Sequence, residues 1–288
     1  MIPVAAIVMT RDEAANLPAC LAPLDGFAQV FVVDSASTDG TAQIAAAHGA
    51  TVVPFHWNGD YPKKKQWCLD HLQFTQDWVL FVDADERLTD ALVAEIAALM
   101  AQGPRHAAYY VDGRPVFLGR ELRFGAGNRK LALLDRRRAR FPVVPDLDVA
   151  RMWEVEGHYQ PDVDGTVGRL RAPLRHADGK ALAAWFDRHN RYSDWEAALR
   201  TDGRMDALIA RERGGRRWLK RVLAGLPLRP LAVFLHSYVL RLGFLDGTAG
   251  FHHALARAFY HWQIGVKIRA SRVIPPRPGS GPVHRPAP

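Results

Sequence analysis

The sequence predicts an α/β protein with a mixed, mostly parallel sheet flanked by helices and a helical, basic C-terminal extension. Four segments of the first hundred residues are short, almost wholly apolar and rich in β-branched residues, as buried parallel strands are. They are residues 3–10, 29–35, 50–57 and 78–83. Helical patterns lie between them, and this alternation is typical of a doubly wound sheet with helices on both faces.

Two helices between these strands have recognisable ends. The Ser-Thr-Asp run at 37–39 offers cap oxygens for a helix that continues to about residue 48 and ends at Gly49. A second helix begins at Thr89 and is stopped by the Gly-Pro pair 103–104. Both lie where the sheet needs a connection between parallel strands.

The pattern changes beyond residue 106. Shorter strand-like pieces at 107–111, 116–118 and 130–134 predict antiparallel additions to the sheet, and a helical pattern returns over 181–213. We expect three regions: an α/β domain over 1–200, a helical basic extension over 201–274, and a disordered Pro-rich tail over 275–288.

Charge and cysteine content limit the class of protein. The formal net charge of +8 suits anionic partners such as nucleotide diphosphates, nucleic acid or an acidic membrane. Cys20 and Cys68 are the two cysteines and lack metal-ligand spacing, so a reducing cytosol is expected. The apolar N-terminus has no basic start and is cut off by Arg11, which favours a core strand over a secretion signal.

The most membrane-like segment is 222–245. Arg229 and Arg241 lie within it, and an arginine in hydrocarbon costs several kcal/mol, so a spanning helix is not expected. Basic residues at 211–221 alternate with aromatic and aliphatic ones, a pattern that suits a lipid headgroup layer. The sequence therefore predicts a cytoplasmic protein held peripherally on the inner face of the cytoplasmic membrane. The alternative is a helix pair packed on the catalytic domain with a solvated basic face.

The predicted strand 78–83 ends in carboxylates. Open α/β sheets bind ligands outside the carboxyl ends of their strands, and strand alternation puts Asp83 and Asp85 on one side. Two such oxygens suit Mg²⁺ or Mn²⁺, which would stabilise the charge on a departing diphosphate. The alternative is a polar strand exit and helix cap, because a D-x-D pair alone is a weak signal.

The first two strands also have polar ends. Asp34 and Ser35 follow the second strand, where they could accept hydrogen bonds from a base or ribose. Thr10 follows the first. Three polar strand ends on one edge of a sheet predict a ligand site there.

Three motifs carry a family resemblance: T-x-[ND]-E-x-x-N-L after strand one, V-V-D-S-x-S-x-D-G-T after strand two, and W-V-L-F-V-D-A-D-E at strand four. In this order they resemble family 2 glycosyltransferases, in particular the bacterial branch that extends lipopolysaccharide or other envelope glycans. The resemblance is close over about 2–99 and looser to about 198. It implies a Rossmann-like GT-A fold and an inverting single displacement. A sugar would move from a nucleotide-diphosphate donor, with UDP favoured, to a hydroxyl of a glycan or glycolipid.

The resemblance also implies roles for the strand-end residues. Thr10, Arg11 and Glu13 would line the nucleotide pocket, and Asp34 would contact the base. Asp12 departs from the family, where asparagine is commoner at this position, and its contact with the nucleotide is in doubt.

The same comparison implies roles around the diphosphate. Asp83 would lie in the ribose or metal region, and Asp85 would bind the metal and the diphosphate. The lysine run 63–65 sits where the family often places a basic residue, and Lys65 is our candidate for phosphate contact. The alternative is a solvated helix start.

An inverting transferase needs a general base for the acceptor hydroxyl. Similar sequences carry a short glutamate motif before a glycine-containing stretch that ends in histidine, here His176. Glu154 and Glu156 are the candidates, and they would share one strand face. We favour Glu156, because the chain turns at Gly157 and can present it to a cleft. The alternative makes both of them surface charges.

Two other functions were weighed. A sugar nucleotidyltransferase should have a Gly-rich phosphate loop after strand one, and residues 10–17 contain no glycine. A non-enzymatic module that binds membrane or nucleic acid leaves the acidic strand ends unexplained, because they would repel a polyanion. No nucleic acid partner is expected. The arginines at 136–138 and 140 suit an anionic acceptor or a solvated turn.

Overall fold

A computed structural model describes residues 1–144, 146–147, 149, 154–156, 160–205 and 228–273. The chain divides into two compact units. The first comprises Met1–Glu121, Gly127–Val143 and Glu154–Gly179, and the second comprises Leu122–Ala126, Val144–Trp153 and Lys180–Pro288. The domain boundaries expected at 200 and 274 stay predictions, and the tail 275–288 lies outside the described residues.

Four parallel strands form the first half of the sheet. They are β1 (Ile2–Thr10), β2 (Phe27–Asp34), β3 (Thr51–Pro54) and β4 (Trp78–Asp83), in the order β3-β2-β1-β4. Residues 4–8 of β1 have no exposed surface, because helices or loops cover both faces of a central parallel strand. All four strands were predicted, with β3 shorter than expected.

Four helices connect these strands or follow them: α1 (Leu17–Leu21), α2 (Thr41–Ala47), α3 (Lys64–His71) and α4 (Asp90–Gln102). In α4 the hydroxyl of Thr89 accepts from the N–H of Leu92 at 3.2 Å, as the predicted cap requires. α2 begins later than predicted. Its N-cap residue is Gly40, at φ +87°. The Ser37 hydroxyl, which was expected to cap the helix, donates to the Asp34 carboxylate instead.

Short strands complete the sheet, as the glycine-separated pieces predicted. They are β5 (Glu86–Leu88), β6 (Ala108–Phe117), β7 (Arg120–Glu121), β8 (Asn128–Asp135), β11 (Val167–Arg169) and β12 (Leu174–His176), whereas β9 (Ala139–Arg140) and β10 (Asp162–Val163) pair with each other in a separate two-stranded sheet. The order continues from β4 as β8-β6-β12-β5, and β8 is antiparallel to both of its neighbours. Residues 116–118, expected as a separate strand, instead extend β6 to Phe117.

The second unit is helical. Its helices are α5 (Leu182–Thr201), α6 (Arg229–Leu235) and α7 (Gly247–Val273), and α7 packs against both α5 and α6. The Asp246 carboxylate accepts from the N–H groups of Arg123 and Phe124, which fixes the segment Leu122–Ala126 to this unit. Residues 206–213 of the predicted helix 181–213 lie outside the described residues. Among the described helices, none has the length and apolar composition needed to cross a bilayer.

Candidate active site

The carboxyl ends of β1, β2 and β4 meet at one edge of the sheet. Thr10 is paired with Asp34 across β1 and β2, and Met9 is paired with Asp83 across β1 and β4. Neighbouring strands lie about 5 Å apart. Thr10, Asp34 and Asp83 are therefore close neighbours, and this edge is the candidate active site.

Asp34 organises the β1–β2 side of the site. Its Oδ1 accepts from the Thr10 hydroxyl at 2.7 Å, and its Oδ2 accepts from the N–H of Ser37 at 2.9 Å. Burial opposes its ionisation, but these hydrogen bonds and the charge of Lys64 hold the pKa of Asp34 below its ordinary value. Asp34 is thus a fixed, ionised acceptor.

The loop after β1 is tied to the start of α2. The N–H of Glu13 donates to the Thr41 hydroxyl at 2.9 Å, and the Glu13 carboxylate accepts from the Asn16 amide at 2.8 Å. Arg11 is exposed beside them. The predicted nucleotide residues Arg11 and Glu13 therefore lie on a loop that is held against the end of β2.

Asp12 has a role that the sequence did not suggest. It adopts a left-handed backbone at φ 53°, and its carboxylate accepts from the N–H of Thr38 at 2.8 Å. Its own N–H donates to the Ser37 hydroxyl at 2.8 Å. The carboxylate that departs from the family pattern holds the two strand-end loops together.

Lys64, from the 63–65 run, reaches the ends of β1 and β2. Its buried ammonium donates to the Thr10 carbonyl at 3.0 Å and to the Ser35 hydroxyl at 2.5 Å, and it lies 3.5 Å from the Glu154 carboxylate. Burial lowers its pKa, although Glu154 opposes the shift. Sequence reasoning chose Lys65, whose ammonium donates to the Glu156 carbonyl at 3.2 Å and helps to lower the pKa of Asp83.

Asp83 shares a cation with Glu86. Lys130, on β8, lies 3.2 Å from the Asp83 carboxylate and also contacts the buried carboxylate of Glu86. Burial opposes the ionisation of Asp83, but Lys130 and Lys65 hold its pKa below the ordinary range. Burial and Asp83 raise the pKa of Glu86. No motif pointed to Lys130, because the pairing of β8 with β4 brings it here.

Asp85 is bonded to a histidine. Its carboxylate accepts from Nε2 of His176 at 2.9 Å, and β12 holds this histidine in place by pairing His176 with Glu86. Burial would lower the pKa of His176, but the carboxylates of Asp85, Glu86 and Asp83 raise it to about 9. The histidine that the family pattern indicated thus lies beside the second aspartate.

The donor set fits a hard divalent ion only in part. Within the described residues, no group of three or more His, Cys, Asp or Glu side chains is arranged to hold a metal. Asp85 offers an oxygen ligand, whereas His176 donates to Asp85 and keeps its proton below about pH 9, and Asp83 is engaged by Lys130. Mg²⁺ is usually bound through one or two carboxylates and substrate phosphates. The residues therefore fit an ion whose remaining ligands come from a nucleotide diphosphate and water.

Glu154 and Glu156 lie in a bend and not on the strand that was expected. The Glu156 carboxylate is 1% exposed and accepts from the N–H groups of Lys65 at 2.7 Å and Gln66 at 2.9 Å, at the start of α3. Burial raises its pKa, although these N–H groups oppose the shift. The Glu154 side chain is 17% exposed and contacts Ser35 at the end of β2.

A cavity of about 500 Å³ is separate from these strand ends. Its lining includes Arg136, Arg137, Arg138 and Arg140. The N–H of Arg136 donates to the carbonyl of Asp77, one residue before β4 begins, whereas the candidate site lies beyond the last residue of that strand. Arg137 is paired with Asp77 and Asp135, as in a solvated turn.

Residues 5–146 match the sequence profile of Glycosyl transferase family 2. The chain carries a family 2 glycosyltransferase domain. The matched residues include the three strand ends and their motifs, so the resemblance in those motifs is confirmed, and the chain is an enzyme of the glycosyltransferase class.

A curated relative matches nearly the whole chain. The lipopolysaccharide core biosynthesis glycosyltransferase LpsC of Rhizobium meliloti is 26% identical over 289 residues, covering 96% of each protein. S. aureus TarS (residues 1–349) has a TM-score of 0.48 and 14% identity, covering 94% of this chain and 91% of that one. The mannosyltransferase PcManGT of Pyrobaculum calidifontis, solved with GDP-Man and Mn²⁺, has a TM-score of 0.48 and 17% identity, covering 93% and 87%.

Proposed function

We propose that the family 2 domain transfers a sugar, with inversion, from a nucleotide-diphosphate donor to a hydroxyl of a cell-envelope glycan or glycolipid. A single observation carries this proposal: the register of β1, β2 and β4 places Thr10, Asp34 and Asp83 side by side at the carboxyl edge of the sheet. Ligands bind at such edges in open α/β sheets. A uridine diphosphate donor is favoured, and the envelope acceptor is suggested by the name of the LpsC relative.

The donor would lie across the strand ends. Asp34 and Ser35, with Thr10, would face the base and ribose, and Arg11 and Glu13 would border the same pocket. Lys65, near Asp83, would face the phosphates, where a cation offsets their charge. These roles agree with the contacts, since hydrogen bonds join the loops after β1 and β2, and pre-ordered loops lower the entropic cost of binding a nucleotide.

Asp85 and Asp83 are the proposed metal ligands, with His176 beside Asp85. When bound, Mg²⁺ or Mn²⁺ supplies positive charge next to the departing diphosphate. Lys130 offsets part of the charge on Asp83, and protonated His176 offsets part of the charge on Asp85. His176 orients the Asp85 carboxylate and limits its rotamers.

The acceptor hydroxyl must lose its proton as it attacks the anomeric carbon. Glu156 and Glu154 are the two candidate bases, and their contacts differ. Burial raises the pKa of Glu156, which makes its carboxylate a stronger proton acceptor, but both of its oxygens accept from N–H groups at the start of α3. Glu154 lies at the strand-end cluster beside Ser35 and Lys64.

Paired glutamine variants separate these two roles. If Glu156 is the base, Glu156→Gln nearly abolishes transfer while donor affinity and Tm persist. If Glu156 only caps α3, Glu156→Gln lowers the free energy of unfolding by about 1 kcal/mol, and Tm with it, while transfer continues. In that case Glu154→Gln abolishes transfer instead. Glu95→Gln is the matched control, because Glu95 also accepts from two backbone N–H groups, those of Arg171 and Ala172.

The donor site itself is tested by thermal shift on the full chain. We expect UDP or GDP with Mn²⁺ to raise Tm, because a ligand that binds the folded state stabilises it. A screen of uridine- and guanosine-linked sugars, read by mass spectrometry of the retained ligand, identifies the donor. If no nucleotide diphosphate changes Tm, the donor site is wrongly placed.

We also propose that the second unit lies on the cytoplasmic face of a membrane rich in anionic lipid. One face of α7 carries five exposed apolar side chains at spacings of three and four residues. They are Phe251 at 38%, Leu255 at 48%, Phe259 at 44%, Trp262 at 50% and Val266 at 41% exposed. Arg241, Arg269 and Arg272 are exposed in the same unit, which suits anionic headgroups.

Vesicle co-sedimentation tests this surface. We expect the chain to bind vesicles that contain phosphatidylglycerol more strongly than pure phosphatidylcholine, with affinity falling as salt rises. The double variant Phe259→Ser/Trp262→Ser should weaken binding at least about tenfold, because it removes two large apolar groups. Leu118→Ser, an exposed apolar residue of the first unit, is the control. Equal binding by both variants contradicts the proposal.

A further inference from the structure

The helices of the second unit enclose a cluster of charged and polar side chains. Glu196 projects from α5, Arg229 begins α6, and Tyr260 lies on α7. The Glu196 carboxylate joins these helices, since it accepts from the Tyr260 hydroxyl at 2.8 Å and lies 3.6 Å from the Arg229 guanidinium. Nothing in the proposed donor chemistry uses this cluster.

Both carboxylate oxygens of Glu196 accept hydrogen bonds. Arg200 donates to its Oε1 through two nitrogens, at 2.9 and 2.7 Å, and Tyr260 occupies Oε2. Burial opposes its ionisation, but Arg200, Arg229 and His261 lower the pKa of Glu196 to about 2. The carboxylate is therefore ionised and fully engaged.

Two nitrogen atoms of the same cluster lack partners. The buried Nε of Arg257 and the buried Nδ1 of His261 have no hydrogen-bond partner among the described residues. Nearly all buried polar groups in native proteins are bonded, and leaving one without a partner destabilises the fold, more so when the group is charged. Both residues lie on α7, four positions apart, so they are neighbours on one helix face.

The cluster also carries excess positive charge. Three guanidiniums, of Arg200, Arg229 and Arg257, stand against one carboxylate, Glu196, which leaves two positive charges. Burial lowers the pKa of Arg257 and of Arg229.

We propose that Arg257 and His261 form an anion-binding site that takes a phosphate group. A phosphate dianion matches an excess of two positive charges, and guanidinium forks bind its oxygens with paired hydrogen bonds. His261 would donate from Nδ1. The phosphate belongs to a lipid headgroup or to a phosphorylated sugar, and the test distinguishes these sources.

Calorimetric titration of the full chain with inorganic phosphate at constant ionic strength is the first test. We expect saturable binding by the wild type and by Arg269→Gln, an exposed arginine on the same helix. Arg257→Gln should bind about tenfold or more weakly, because a charge-assisted hydrogen bond is lost. Lys65→Gln, which removes the cation proposed to face the donor phosphates, should bind like the wild type, and this excludes the candidate active site as the source of the signal. Equal binding by Arg257→Gln and the wild type overturns the proposal.

Two further variants guard against misfolding. Arg257→Lys keeps the charge without the fork and should give intermediate affinity, and His261→Phe should weaken binding without changing the number of charged arginines. If circular dichroism shows both folded and both bind phosphate like the wild type, the site is wrong.

Two probes then identify the source. Vesicles with phosphatidic acid in phosphatidylcholine are compared with soluble glucose 6-phosphate. Arg257-dependent binding of the vesicles assigns a lipid headgroup, and Arg257-dependent binding of the sugar phosphate alone assigns a phosphorylated glycan. Binding that depends on Arg257 in neither case contradicts the proposal.

Discussion

The polar clusters of the two units have opposite charge balance. At the sheet edge, three carboxylates, Asp83, Asp85 and Glu86, face Lys130 and His176. In the helical unit, the described residues around His261 include three guanidiniums, those of Arg200, Arg229 and Arg257, and one carboxylate, that of Glu196. Buried charge is tolerated when it is paired, so each cluster indicates the sign of the ligand that it lacks. The first suits a cation and the second an anion.

The largest expected effect is on the acidic cluster. Asp85→Asn should reduce transfer at least about 100-fold, because the positive charge held beside the diphosphate is worth several kcal/mol in the transition state. Nucleotide release from the donor sugar measures the rate. Asp25→Asn, an exposed carboxylate of the same unit, should be unaffected. Full activity of Asp85→Asn would mean that this cluster binds no catalytic cation.

Lys130→Met tests whether the same cluster needs its internal cation. Without the ammonium, Glu86 and Asp83 are left without a counter-charge, and we expect unfolding free energy to fall by about 3 kcal/mol or more. Lys130→Arg keeps the charge and should lose much less. Urea denaturation of both variants measures the difference, and equal stability of Lys130→Met and the wild type would contradict the pairing.

The basic cluster predicts acid sensitivity through Glu196. Its folded pKa is about 2, below the ordinary value of 4.5, so the stabilisation is complete above pH 4.5 and is lost as pH falls toward 2. The shift corresponds to about 3 kcal/mol. Glu196→Gln should be less stable at pH 7 and should lose this pH dependence. A wild-type denaturation midpoint that does not change over this window contradicts the assignment.

A smaller effect is expected from His253, buried on α7. Burial, Arg257 and His189 lower its pKa to about 3, whereas an unfolded histidine titrates near 6.5. The unfolded chain therefore binds more protons between these values, and stability falls as pH drops below 6.5, by up to about 2 kcal/mol at pH 5. His253→Gln should flatten this part of the profile in urea denaturation at pH 8 and pH 5. If His253→Gln leaves the pH dependence of the unfolding free energy unchanged, His253 is not buried in the way described here.

The framework of the site was predictable from the sequence. Each central strand is an apolar run that ends in a polar residue, and parallel strands bring such ends together, so Thr10, Asp34 and Asp83 were expected at one edge. Thr89 was recognisable as a helix cap, because it directly precedes a helical apolar pattern and its hydroxyl oxygen can accept from a free backbone N–H of the first turn.

The counter-charges of the site were not predictable in the same way. Lys130 arrives through the antiparallel pairing of β8, and pairings distant in sequence leave no local signal. The choice among three consecutive lysines depends on where α3 begins, which Glu156 helps to set from far along the chain. Charged side chains thus had recognisable positions, but their partners depended on tertiary packing.

Lys130 affects how stable the fold is when no metal ion is bound. Small metal-dependent domains collapse when a chelator removes their ion, because binding energy is folding energy there. Here a covalently tethered ammonium already sits between Asp83 and Glu86, and it stays when every soluble ion has left. Under the proposed function, the protein would therefore stay folded when the nucleotide and its cation leave together.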